Sequence, residues 1–454
     1  MKLKKQAIVY LLLSVLMLAV VGYFFIQRQT AENKIPNISK RSGAIGPSSE
    51  FLNLQKAVEY YRFEIRRNPE LIKNYVELAQ LYMQEARVTG RHHEYVAKAE
   101  KLLDEALSRK PDNFESNITK ASLLLTMHRF EEAKALAETA TLRNVHHAFS
   151  WGVLSDALKE LGDYPGAVKA CDKMLSVRPD LRSYARASHL REIHGDLRGA
   201  REAMKMACDA GVTGQENRAW CLYHLANLFL KEGKLDTAEY IYKGVLEERP
   251  NYPYALAGLA DVHSAKQEFN KAEQLLLRAY DLAPEHLFME KLAETYRAAG
   301  QAEKANVLAE SVLEAFRQHE QQGWNVNLEW AMFCAKHDFQ LDEALKRAEI
   351  EYRRRPNNID VQEVYAWTLH KVGRSAKALP IIEQALQINA RSPLLFYRAG
   401  MIAKKVADFN KAKNYIEAAL KMNPCLFASE IELAQQALKE LSVPRPVGGT
   451  LSAL

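Results

Sequence analysis

The chain is poor in the arrangements on which catalysis and metal binding are built. Its five cysteines, Cys171, Cys208, Cys221, Cys334 and Cys425, include no CxxC pair, so spacing excludes a zinc ribbon or a dithiol redox centre. No P-loop, GxSxG elbow or HExxH helix occurs. His92-His93 and His146-His147 are adjacent pairs, and neighbours on a helix point about 100° apart, so neither pair can face one metal. His189 and His194, five apart, are equally poor ligand partners. One-sided charge is also missing. A net +6 over 62 basic and 56 acidic side chains is too small and too dispersed for a nucleic-acid footprint. The basic run Arg353-Arg354-Arg355 reads as a solvated helix end favoured by the macrodipole. These absences leave a non-catalytic chain, with no cofactor, metal, nucleic acid or small-molecule substrate implied. The thiols read as small buried fillers. Cys208 and Cys221, flanking DAGVTGQEN, raise the question of a disulfide only in an oxidising compartment.

Long apolar runs are missing too, with one exception. Residues 7–26 carry no charge and are rich in Leu and Val. As a helix they would span about 30 Å, the thickness of a bilayer core. Tyr23, Phe24 and Phe25 suit the interfacial aromatic belt. The bulky exit and the lack of an early cysteine argue against a cleaved leader or a lipoprotein, which leaves an uncleaved transmembrane helix. Lys2, Lys4 and Lys5 precede it, in the short basic segment 1–6, and favour an N-inside orientation. That would set the remainder outside the cytoplasm, in the periplasm for a bacterial inner-membrane protein. Residues 27–49, with Pro36, Gly43, Gly46 and Pro47, show no apolar period and read as a flexible tether.

What is abundant is a repeat. In 148–179 the apolar stripe of one helix, Trp151, Leu154 and Leu158, is broken by Gly162-Asp163. A second stripe, Ala167, Cys171 and Met174, is stopped by Pro179. Pro111, Pro179, Pro250, Pro284, Pro356 and Pro424 mark a period of 34 residues or its multiples, lengthened by insertions. An alanine stands twelve residues before these prolines, at Ala99, Ala167, Ala238, Ala272, Ala344 and Ala412. It recurs without the proline at Ala133, Ala200, Ala305 and Ala378. A small residue is what allows two helices to cross closely. Insertions fall at VTGRHHEY, DAGVTGQEN and QHEQQG.

The pattern resembles the tetratricopeptide repeat family, in the form of a bacterial membrane-anchored member. The resemblance covers about residues 72–424. Its Leu-small pairs are Leu154-Ser155, Leu225-Ala226, Leu259-Ala260, Leu292-Ala293 and, in a weaker version, Ala399-Gly400. Its aromatic appears as Tyr82, Phe229 and Tyr296, and its second small position as Ala106, Ala140, Ala207, Ala279, Ala385 and Ala419. Departures fall at Cys171, Arg191 and Met332.

The resemblance implies an all-α fold, a right-handed α-solenoid of helix-turn-helix repeats. About ten repeats fill 71–424, capped by a helix at 50–69 and another at 425–441, with a disordered tail at 442–454. It also implies that the first helix of each repeat lines a concave groove that binds partner proteins. The groove candidates are Phe149, Asp156, Lys159, Trp220, Tyr223, Asn227, Tyr254, Asp261, Glu363, Trp367, His370, Tyr397 and Lys404. Trp220 and Trp367 have an alternative place inside helix interfaces. No carboxylate clamp is expected, because Asn227 has Tyr223 where a basic residue would be needed. The expected function is a membrane-anchored scaffold for an envelope or secretion complex. A regulatory adaptor of a membrane enzyme such as a protease, and a holdase-type chaperone for exported proteins, are the alternatives.

Overall fold

The computed structural model describes residues 15–20, 22, 35–43, 45–388, 391–425 and 428–442, and all regular structure among them is helical. Ten consecutive helix pairs run from Ile72–Thr89 with His92–Arg109 to Pro393–Lys405 with Phe409–Met422. Ser48–Arg67 precedes them and Ala428–Ser442 follows. The six repeat prolines each stand two residues past the end of a second helix, where the missing N–H costs nothing. Starts are capped where the sequence supplies a short polar residue. Asp163, Asp196, Asn358 and Asp408 each accept a backbone N–H from the first turn, and Asp180 with Ser183 forms a full capping box. Between the two helices of a pair, the chain needs one residue at positive φ. Gly162, Gly195, Gly233, Gly300 and Gly373 supply it in five repeats, and His128, Gln267 and Ala407 take the same conformation in three others.

The ten register alanines are at most 1% exposed. In nine repeats the alanine is the fourth residue of the second helix; in the first repeat it is the eighth, because the insertion adds a turn ahead of it. The small position on the facing helix is mostly alanine, and where it is serine, in two repeats, it holds the pair by a hydrogen bond. Ser155 Oγ donates to the Ala167 carbonyl at 2.8 Å, and Ser188 Oγ to the Ala200 carbonyl at 2.7 Å. Each pair then stacks on the next, which gives a run of local apolar cores instead of one central core.

The superhelix is wound tightly enough that its second turn rests on its first. His128 Nδ1–H donates to the Asn325 carbonyl at 3.1 Å, and the Asn325 N–H donates to the Met127 carbonyl at 3.0 Å. One repeat on, the Ile359 N–H donates to Tyr164 Oη at 2.9 Å, and Asn358 Nδ2 to the Glu160 carbonyl at 3.0 Å. Contacts of this kind join residues 193 to 199 apart, which is about six 34-residue repeats per turn. Gly162 sits on this seam. A Cβ there would come within 2.6 Å of the backbone at Asn357 and Asn358.

Three sequence readings are changed or extended here. Arg355 is not part of a solvated helix end, whereas Arg353 and Arg354 are exposed. Arg355, 3% exposed, donates to the Glu160 carbonyl at 3.0 Å and to Glu351 at 2.8 Å, and Arg354 reaches Glu131 on the other turn at 2.7 Å. The insertions, which the sequence located without assigning them a structure, are ordered. The first and third lengthen helices, to Thr89 and Gln321, and carry their side chains to the seam. There the His319 ring stacks on Trp324 at 4.6 Å, while His92 and His128 each meet the Trp324 ring edge-on at 6.2 Å. The second brings the Gly214 carbonyl to Arg249 at 3.0 Å.

The third change concerns the tether. Residues 35–43 and 45–47 are packed as a strap across the first repeat, with Ile38 and Ile45 buried. The Ser39 N–H donates to Tyr95 Oη at 3.0 Å, and Tyr82 Oη donates to the Pro36 carbonyl. Arg41 bridges Glu85 at 2.7 Å and Glu50 at 2.8 Å, and Glu50 pairs with the fully buried Arg249 at 2.7 Å. A strap held by side chains of its neighbours needs no apolar period of its own. Of the uncharged run 7–26, residues 15–20 and 22 are described, as helix. The rest of the run, residues 27–34 and the tail from 443 lie outside the described residues. Among the described residues no helix is long and apolar enough to cross a membrane.

Candidate interaction chamber

Closure of the superhelix turns the concave side of repeats three to ten into a chamber of about 1060 Å³. Its wall comes mainly from the C-terminal halves of the first helices, whose apolar side chains are already used between repeats. Lys159, Tyr223, Asn227, Asp261 and Glu363 line it. Tyr242 Oη donates to Asn227 Oδ1, which fixes the amide, and the Tyr223 ring lies 5.8 Å from that of Tyr254.

The other groove candidates lie elsewhere. Trp367 and Tyr397 are 9% and 2% exposed, in the interface between repeats nine and ten with ring centroids 6.3 Å apart, so they are packing residues. A helix face shifted by one residue in phase moves a side chain by about 100°, which is the physical reason for the difference. His370 stacks on Trp367 at 4.9 Å and its Nδ1 lies 2.9 Å from Ser375 Oγ. Phe149 is half-buried below Arg182, and Tyr254 Oη donates to Glu285 at 2.5 Å. Trp220 is partly exposed, its ring 4.0 Å from that of His224.

Along the inner helices runs a ladder of ion pairs that joins repeats three to five, six to eight and nine to ten. Its rungs are Asp156–Arg186 at 2.7 Å, Glu192–Lys231 at 2.5 Å, Asp261–Lys291 at 2.7 Å, Glu294–Lys336 at 2.6 Å and Glu363–Arg398 at 2.7 Å. Lys404 extends it to Glu440 of the last helix at 2.5 Å. Burial opposes ionisation at Glu192, yet His189 and Lys231 hold its carboxyl down to about 2. At Glu363 burial wins and pushes the carboxyl up despite Arg398. Of the ladder, Asp156, Asp261, Glu363 and Lys404 were singled out from sequence and the other members were not, although the spacing of 30 residues in Asp156–Arg186 and Asp261–Lys291 was there to be found.

Four chamber atoms have no hydrogen-bond partner within the described chain: both ring nitrogens of His337, which is 3% exposed, Arg297 Nε and Glu430 Oε2. Burial lowers the His337 pKa to about 4, so the ring is neutral, and burial pushes the Glu430 carboxyl up. The chamber therefore offers a wall that combines ion pairs with a few uncommitted polar groups. Such a wall suits a polypeptide segment better than an ion. The cysteines are free; burial lifts the Cys208 thiol to about 12, which makes it inert, and Cys208 and Cys221 are not joined.

Comparison with known proteins agrees with this architecture. Three stretches, 118–185, 229–287 and 395–424, match descriptions of the tetratricopeptide repeat. The cellulose synthase operon protein C of Pseudomonas fluorescens (strain SBW25) is 25% identical over 191 residues, 40% of this chain and 15% of that protein. The tetratricopeptide repeat protein 21A of Homo sapiens is 22% identical over 355 residues, 73% of this chain and 24% of that protein. The chain thus spans less than a quarter of the length of either relative. Among solved structures, a tetratricopeptide repeat protein from Parabacteroides merdae ATCC 43184 is 18% identical, with a TM-score of 0.35, over 57% of this chain and 98% of that one.

Proposed function

For a chain built of tetratricopeptide repeats, a type of repeat that generally mediates protein–protein interaction, we propose a non-catalytic scaffold that holds partner proteins at a membrane for the assembly of an envelope or secretion complex. The observation that carries this reading is the chamber: a concave wall lined by Tyr223, Asn227, Lys159 and the orphan nitrogens of His337, with most of its charged side chains in ion pairs. A partner segment entering it gains aromatic contact and hydrogen bonds without having to match a strong field. The membrane part rests on the uncharged run 7–26. The described piece of that run supports it, since Val15, Leu16, Met17, Leu18 and Val20 are all exposed, with no protein cover. The name of the Pseudomonas relative, from a cellulose synthase operon, is compatible with such an assembly. The lysines ahead of the run favour an N-inside orientation, which in a bacterial inner membrane would set the repeats on the periplasmic side.

The test is photo-crosslinking in the cells that make the protein, with the reactive group at Tyr223, and identification of what is captured. One or two extracytoplasmic or membrane partners in near-equal amount would support the scaffold and its orientation. Cytoplasmic partners would reverse the orientation and favour an adaptor of a membrane enzyme. A long series of unrelated weak clients would replace the scaffold by a holdase.

A further inference from the structure

The first described helix of the body, Ser48–Arg67, has two faces of different fate. Leu54, Val58 and Ile65 are buried on the first repeat. On the opposite side Leu52, Tyr60 and Phe63 are 54%, 57% and 54% exposed. Lys56, Glu59, Arg66 and Arg67 are exposed beside them, three cations to one anion. At 100° per residue these seven side chains form a single stripe about 120° wide. Apolar and aromatic groups flanked by long basic stems are the composition of a helix lying in a membrane interface. There the rings sit at headgroup level and the cations meet anionic lipid.

The chain path fixes where that stripe sits. Arg62 Nε, midway along the helix, donates to the Ile35 carbonyl at 2.7 Å. Only residues 27–34 separate Ile35 from the end of the uncharged run at Ile26, and eight residues reach at most about 30 Å. From Ile35 onward the strap is pinned by the Tyr82, Tyr95 and Arg41–Glu85 bonds, so no slack is left within the body. We propose that the exposed face of Ser48–Arg67 docks on the bilayer surface and sets the superhelix in one orientation on the membrane. This rests on the reading of 7–26 as a membrane span.

The test uses the full chain reconstituted in vesicles of neutral lipid with a minority of anionic phosphatidylglycerol. A photoactivatable phenylalanine analogue is placed in turn at Tyr60, at Phe63 and, for comparison, at Tyr240, which is 79% exposed on a repeat helix. All three positions are exposed, so folding is unaffected. Lipid adducts at Tyr60 and Phe63 are expected roughly tenfold above those at Tyr240, and the double variant Arg66→Glu, Arg67→Glu should lower them by a similar factor. Adducts to a second copy, adducts to residues 27–34, or lipid adducts no more frequent than at Tyr240 would each overturn the docking. Carbonate extraction of the same vesicles reads the span separately. A chain retained after extraction but without adducts removes the docking alone. A chain released by carbonate removes the anchor and, with it, the docking that depends on it.

Discussion

Ala407 holds a φ of 62° in the slot that five repeats fill with glycine. Its Cβ stands against the neighbouring carbonyl in that conformation, and the cost exceeds the entropy that glycine adds to the unfolded chain. Ala407→Gly is therefore expected to stabilise the protein, by about 0.5–1 kcal/mol, read as a rise in the melting midpoint. His128 keeps the same unfavourable φ for a reason that Ala407 lacks, since its ring bonds across the seam. The opposite case is Arg398, which is 2% exposed and is the charge partner of Glu363. Arg398→Met would strand a carboxylate that burial already disfavours, at a cost of about 3–5 kcal/mol. Adding Glu363→Leu should recover most of that loss; a double variant as unstable as the single one would show that Arg398 acts by packing alone.

At the scale of elements, the seam depends on Gly162 for two reasons, its φ of 82° and the backbone 2.6 Å from any Cβ. Gly162→Ala is expected to part the two turns, seen as a larger radius of gyration in solution scattering with helical circular dichroism unchanged. Gly300→Ala makes the control, because Gly300 shares the conformation at φ 74° but has open space around it, so it should lose about 1 kcal/mol and no compactness. These elements also show what the sequence could say. The helix pairs, their prolines and their alanine register were legible, because each is a local pattern within 34 residues. The insertions were legible as positions but not as contacts. Trp324 and His92 gave no sign that they would meet, since that meeting is the sum of small rotations over six repeats, and no single repeat records the sum. For the same reason Arg355 read as a solvated helix end, and the strap, whose partners are 44 to 56 residues away, read as slack chain. Of the candidates that the resemblance implied, Lys159, Tyr223, Asn227, Asp261 and Glu363 line the chamber, whereas Trp367 and Tyr397 are packed between repeats.

For the molecule as a whole, buried histidines set the response to acid. Burial holds His224 and His319 at about 3 and His337 and His370 at about 4, below the usual 6.5. Their unfolded forms bind protons first, so the stability they contribute is complete above pH 6.5 and is lost as pH falls toward those values. His128 and His286 work the other way. Burial opposes their charge, but Glu329 and Glu290 outweigh it and raise both, so their contribution is present below pH 6.5 and lost as pH rises through the folded values. Four depressed rings against two raised ones predict a melting temperature that drops between pH 7 and pH 5, with a smaller drop in His337→Leu. A flat profile would mean that these rings are solvated. The seam has one more consequence. An open solenoid tolerates the gain or loss of a repeat, because each unit answers only to its neighbours. Here loss of one unit would rotate the upper layer by about a sixth of a revolution and set His128 opposite a residue other than Asn325. The self-contact acts as a vernier: the chain counts its own repeats, and its length is as much a part of its fold as any side chain.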